Sequence, residues 1–239
     1  MNKKTKSAGP CARCGKCCEK GGPAFHPEDR SLIESGAVRL QDLFCVRKGE
    51  PVYDNLKGEF VFTQTDIIKI KGRPRPFSNA LFSCLFWDRK RKACEIYENR
   101  PLECRAMNCR DTEKIEAAAA LPHLSRKDLL GKVRGLWDLI ADHQARCAYE
   151  RLSVFIQVLD EGENPDAMRG ILDIIVYDES LRQSVEKKAG PGTVDLFFGK
   201  PVPDAMKMMG FHAKKNAGGG WTLSPGKSVM ASEKQWCER

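Results

Sequence analysis

The cysteines of this chain constrain it more than any other feature. Eleven of them occur in 239 residues, at positions 11, 14, 17, 18, 45, 84, 94, 104, 109, 147 and 237. Nine precede residue 110, and eight of those nine fall into two groups: Cys11, Cys14, Cys17 and Cys18, then Cys84, Cys94, Cys104 and Cys109. A chain of this length builds a hydrophobic core without covalent staples. Its cysteine content, about one residue in twenty-two, also stays below that of a small disulfide scaffold. The basic stretch Met1-Asn2-Lys3-Lys4 leads into no apolar segment, and no apolar run approaches the ~20 residues that span a bilayer. The expectation is therefore a cytoplasmic protein with no membrane association, whose thiols stay reduced. In that setting clustered cysteines point to metal or redox chemistry rather than to disulfides.

The texture of the chain changes near residue 110. Before it, residues 11–26 form a cysteine- and glycine-rich loop, and 27–35 read as a short helix opened by Pro27 and stopped at Gly36. Residues 50–71 alternate like strands of a small antiparallel sheet, with turns at Asn55 and Gly58. After it, the tetra-alanine stretch in 113–121 predicts a helix, and 126–159 predict a longer one from apolar residues at three- and four-residue steps. Asn164-Pro165 sets an N-cap and first turn for a further helix ending near Gly190. Residues 194–198 read as a strand, 203–209 as a short helix, and 211–215 with 221–223 as a hairpin closed by three glycines, followed by a loose tail. The expected class is α+β: a small antiparallel sheet and cysteine-rich loops around a metal centre, then a helical region. The expected domains are 1–110 and 111–239.

Two-residue spacing lets a pair of thiolates reach one ion, because the chain turns tightly between them. Gly15, able to take positive φ, suits that turn. Three cysteines so spaced also match the run that grips three irons of a cubane cluster. Cys17 and Cys18 are neighbours, and in an extended segment they would point apart, as unequal partners. Four plus four thiolates suit two zinc sites, one cubane cluster with sulfurs left over, or a mixture. The fourth cysteine and proline of a bacterial ferredoxin run are missing, as are a metalloprotease helix, a nucleophile elbow and a dinucleotide fingerprint. Cys45 and Cys147 read as core, Cys237 as a free thiol. His26 reads as a ligand or a helix-entry residue, and Arg100 and Arg105 as donors around the thiolates or as solvated side chains.

Two separated motifs then agree in order and spacing. Cys11-x-x-Cys14-Gly15-x-Cys17-Cys18 is followed by His26-Pro27-x-Asp29, and downstream stand Cys94-Glu95-Ile96-Tyr97-Glu98-Asn99-Arg100-Pro101-Leu102-Glu103-Cys104-Arg105 and Cys109. Together they resemble the CxxCxxCC, or YkgJ-type, family, a proposed zinc- or iron-chelating domain, over roughly residues 8–110. The resemblance implies metal binding at Cys11, Cys14, Cys17, Cys18, Cys84, Cys94, Cys104 and Cys109, with zinc or iron (as an iron–sulfur cluster) undecided. The pattern is also similar to a segment of flagellin lysine methylases. The expected function is accordingly a metal-binding protein with a structural or metal-handling role. The alternative is an iron–sulfur-dependent enzyme of electron transfer or protein modification, although the chain shows no methyl-donor motif.

The formal net charge of +8 raises the question of nucleic acid. Eight thiolates and two zinc ions would bring the loaded protein to about +4. The remaining basic residues are dispersed and lack aromatic interleaving, so the metal ion is the expected partner and nucleic acid is not.

Overall fold

The computed structural model describes residues 13–54, 58–74 and 82–226. Cys11, one of the eight candidate ligands, and Cys237 lie outside the described residues. In chain order the strands are β1 (Leu43–Val46), β2 (Pro51–Asp54), β3 (Glu59–Phe62), β4 (Ile67–Ile70), β5 (Gly72–Pro74), β6 (Phe82–Cys84), β7 (Trp87–Asp88), β8 (Ala93–Cys94), β9 (Phe211–Lys215) and β10 (Trp221–Pro225). The helices are α1 (Arg30–Glu34), α2 (Leu102–Ala106), α3 (Glu113–Ala119), α4 (Arg126–Leu130), α5 (Leu136–Arg146), α6 (Tyr149–Asp160), α7 (Pro165–Ala189), α8 (Val194–Phe198) and α9 (Val202–Met208). The class is α+β, with small antiparallel two-stranded ladders in place of one sheet. Among the described residues no helix is long and apolar enough to cross a membrane.

The chain divides into two compact units. One takes the described residues up to Leu43 together with Ile67–Leu124; the other takes Phe44–Asp66 and the chain from Ser125 onward. In the first unit β4 is the spine. The Phe25 N–H donates to the Ile68 carbonyl and the Ile70 N–H to that of Pro23, so the segment after the first cysteine loop is stitched to β4. Leu124 closes the other side, donating to Phe25 and accepting from Ile68. Phe25, Ile68, Ile70 and Leu124 are fully buried at this junction. Each such side chain contributes about 1.5–3 kcal/mol by leaving water. Two short ladders follow: β5 with β6, aligning Gly72 with Cys84, and β7 with β8, aligning Trp87 with Cys94. The charged turn between β7 and β8 is fixed by Asp88, whose carboxylate accepts from the Lys90 and Arg91 N–H groups at 2.8 and 3.0 Å.

The second unit is mostly helical. Leu152 of α6, Ile171 and Ile175 of α7, Val202 and Met206 of α9 and Phe211 of β9 form its apolar centre. Asn164 caps α7 as its sequence indicates, its side-chain oxygen accepting from Asp166 and Ala167 at 3.1 and 2.9 Å, with Pro165 in the first turn. The β9–β10 hairpin also forms, with Asn216 and Gly219–Gly220 at its turn. The segment 126–159, expected as one helix, is three. It stops after Leu130, resumes beyond Gly135, which stands at φ +75°, and breaks again at Cys147–Ala148. Residues 194–198 form helix α8 rather than a strand. Four of the five are buried, and so short an apolar run carries no period to separate the two forms.

Buried arginines fasten this unit. Arg126 pairs with Asp66 at 2.7 Å and donates to the Phe197 carbonyl, while Arg47 donates to that of Cys147. Arg182 pairs with Asp178 and donates to the carbonyls of Phe198 and Gly199. Several basic residues are thus internal anchors and not part of a displayed basic surface.

Candidate metal centre

All the described cysteines of the two sequence clusters belong to the first unit. Cys17 and Cys18 open a 3₁₀ turn, Cys18–Lys20, against which β6 packs. Cys84 ends β6, Cys94 ends β8, and Cys104 lies in the middle of α2. Gly15 brings the first loop in. At φ +78° it lies so close to the Trp87 indole that any Cβ would enter the ring, and Trp87 is the ladder partner of Cys94.

The adjacent pair departs from its sequence expectation. Cys17 has helical backbone angles (φ −70°, ψ −38°), not extended ones, and the Cys17 and Cys18 sulfurs lie 4.0 Å apart. A turn carries neighbouring side chains around one side where a strand would separate them. The Cys18 thiol donating to sulfur lowers Cys17 to about 6, against the opposing effect of burial, and the Arg100 guanidinium adds to the lowering. Cys18 is pushed up as the donor of that bond, then by burial and by the charges of Cys17, Cys84 and Cys104. Burial, then Cys94 and Cys17, raise Cys84 to about 11. Burial also raises Cys104 and Cys94; Cys84, Cys17 and Cys94 reinforce the effect on Cys104. These five thiols are near enough to feel one another's charge. Cys14 and Cys109, by contrast, are exposed. Among the described residues no three of the sulfurs lie mutually within 4.8 Å, so the group is gathered but not closed.

The surroundings separate donors from scaffolding. Arg100 and Arg13 clasp the Tyr97 ring from 3.8 and 3.9 Å. Of the two arginines the sequence singled out, Arg100 acts electrostatically on Cys17 and Cys94. Arg105 instead donates to the Arg100 carbonyl. Asp29, fully buried, explains the His-Pro-x-Asp motif: its carboxylate accepts from the His26 N–H at 3.0 Å and the Leu102 N–H at 2.8 Å. It thereby ties the turn at 27–29 to the first residue of α2, the helix that carries Cys104. His26 is not directed at sulfur. Its Nδ1 lies 3.0 Å from the Pro122 carbonyl, and its Nε2 faces Glu103. Glu103 and His123 stand beside it without any spacing signal in the sequence. The only hint was that Glu103 precedes Cys104. Burial, then His26, holds His123 below the ordinary imidazole value.

Cys45 and Cys147 are fully buried in the second unit, as core residues. Cys147 lies near His143 and Asp178, an arrangement that superficially suggests a nucleophile and its base. The Asp178 carboxylate already accepts from His143 at 2.7 Å, Arg182 at 2.9 Å and the Val202 N–H at 3.0 Å. Burial raises Cys147 to about 12 and lowers His143 to about 4. A closed, protonated thiol is inert, so this cluster is a structural lock joining α5, α7 and α9.

Neither a curated protein nor a solved structure matches the chain at a significant level. A family model does match, over the segment that holds both cysteine clusters and the turn and helix bridged by Asp29: residues 10–122 match the model of the CxxCxxCC family, described as a proposed zinc- or iron-chelating domain.

Proposed function

We propose that the first unit is a metal-handling module that binds zinc or iron through the thiolates of its two cysteine clusters, and that the helical second unit is a separate folded region attached to it. The gathering of Cys17, Cys18, Cys84, Cys94 and Cys104 from a 3₁₀ turn, two ladders and a helix carries this reading. Cysteines placed only to fill a core do not need to crowd until they raise one another's proton affinity. Such a group is high in energy as bare thiolates and is relieved by a soft cation, which displaces the protons on binding. The donor set fits either metal. Sulfur ligands suit tetrahedral zinc and iron–sulfur clusters alike. Cys14 and Cys109, both exposed, are further candidate donors, and Cys11 completes the eight in sequence.

Because the sulfurs are gathered but not closed, metal entry would draw the cysteine side chains together and couple binding to local ordering of the site. The test is metal and acid-labile sulfide analysis of the full chain purified without oxygen, beside a Cys84→Ser/Cys104→Ser variant. The expected result is stoichiometric zinc or iron, most of it lost in the variant. Brown protein with labile sulfide would assign iron–sulfur; colourless protein with zinc would assign a structural or metal-handling site. Wild-type chain that is folded and free of both metals would overturn the proposal.

A further inference from the structure

The His26 side chain is 1% exposed, and its hydrogen bonding fixes its chemistry. The Pro122 carbonyl can only accept, so Nδ1 at 3.0 Å must donate to it. In the neutral ring Nε2 then carries a lone pair. That atom is buried and has no hydrogen-bond partner. It faces Glu103 Oε1 at 3.5 Å, while the other oxygen of Glu103 is occupied by the Ala24 N–H at 2.8 Å. With the ring neutral, two lone-pair atoms face each other across this 3.5 Å gap, a pairing that an ion coordinated by both would stabilise. The His123 ring is 4.9 Å from that of His26, centroid to centroid. One donor atom from each of His26, Glu103 and His123 lies within 4.8 Å of the others.

We propose that His26 Nε2, Glu103 Oε1 and a ring nitrogen of His123 form a second metal site, separate from the sulfur centre, for a divalent transition ion of borderline character such as Zn2+ or Fe2+. Two imidazoles and a carboxylate are the ligand set of open zinc sites and of non-haem iron sites, in which protein donors leave further positions free. Ligands about 2.0–2.1 Å from a tetrahedral ion stand ~3.3 Å apart, so the 3.5 Å pair is already spaced for one. The orienting bond from His26 Nδ1 to a backbone carbonyl is the outer contact that ligating histidines ordinarily make. The three donors come from well-held segments. Asp29 fixes the His26 backbone, α2 carries Glu103, and the hydrogen bonds of Leu124 to Phe25 and Ile68 hold the residue after His123. Glu103 and Cys104 are consecutive in α2, so one short helix would serve both sites.

The competing occupant is a proton, which would make His26 an imidazolium paired with Glu103. Titration of the full chain with Co2+, after its thiolate centre has been loaded with zinc and all more weakly held zinc has been removed by dialysis, separates the two. The expected result is one additional ion per chain, with weak visible bands and without the intense near-ultraviolet charge transfer that sulfur ligation gives. His123→Ala and Glu103→Gln should each weaken that ion at least tenfold while leaving the zinc of the thiolate centre in place. His123 is half-buried in a loop, so its variant is the milder one. If Glu103→Gln fails to fold, His123→Ala decides alone. No additional ion in the wild type, an ion with sulfur charge transfer, or equal affinity in His123→Ala would overturn the site. This result stands apart from the thiolate proposal, since the Cys84→Ser/Cys104→Ser variant can lose the one metal and keep the other.

Discussion

Asp29→Ala is the most informative single change at the scaffold of the metal centre. The Asp29 carboxylate is buried and accepts from two backbone N–H groups, that of His26 at 3.0 Å and that of Leu102 at 2.8 Å. Truncation leaves both donors unpaired where water enters poorly. A hydrogen bond to a charged group is worth about 1.5–3 kcal/mol, so losing two costs about 3–6 kcal/mol. Arg105 stands 4.0 Å away and half exposed, and adds little. Asp29→Asn keeps one acceptor oxygen but turns an NH2 toward the other donor, so about half the loss is expected. Urea denaturation followed by tryptophan fluorescence reads the total, and hydrogen exchange at the Leu102 and His26 amides localises it. Metal content should fall with stability, because a loosened α2 displaces Cys104. Glu34→Ala, which breaks an exposed pair with Arg30, is the control and should shift stability by no more than about 0.5 kcal/mol. If Asp29→Ala matches that control, with its metal and amide protection intact, the account of the His-Pro-x-Asp motif as a clamp on α2 is refuted.

Two further outcomes follow from the same structure. Gly15→Ala and Gly36→Ala impose nearly the same backbone strain, at φ +78° and +76°, but the Gly15 Cβ enters the Trp87 ring whereas that of Gly36 meets nothing. Gly36→Ala should cost about 1–2 kcal/mol and spare metal binding, while Gly15→Ala should cost about 2–5 kcal/mol and lower metal content; equal effects on metal content would be inconsistent with the packing of that loop on Trp87. In the second unit His143 is held down to about 4, below its ordinary value of 6.5, so the unfolded chain takes up a proton between those values that the folded chain does not. Stability is therefore complete above pH 6.5 and falls as pH drops toward 4, by about 2 kcal/mol between pH 7 and pH 5. Asp178, held below the ordinary carboxylate value, extends the loss to lower pH. His143→Gln should flatten the step above pH 5 in urea midpoints, and an unchanged slope would show that His143 is not its source.

What was legible in the sequence was whatever is decided locally. Gly15 needed only a tight turn between thiols, and it stands at positive φ. Asn164-Pro165 carried its cap in two residues, and α7 begins there. The breaks within 126–159 are also local, falling at Gly131 to Gly135 and at Cys147–Ala148, but the apolar period continues on both sides of them and so predicts one helix. The relation of Cys17 to Cys18 depended on a backbone state that composition does not specify, and the 3₁₀ turn reversed the geometry argued from an extended chain. Glu103 and His123 show the deeper limit. Nothing in the nineteen intervening residues links them, and His26 lies nearly eighty residues before Glu103. They meet because β4 binds both the 23–25 segment and Leu124, and because Asp29 binds α2. Repeated spacing reveals a ligand set when the ligands share one loop, as the first cysteine cluster does. When each donor comes from a different element, the backbone hydrogen bonds that bring those elements together carry the information. In this unit the same bonds hold both the α2 cysteine and the His26–Glu103–His123 cluster, so a change at Asp29 should reach both.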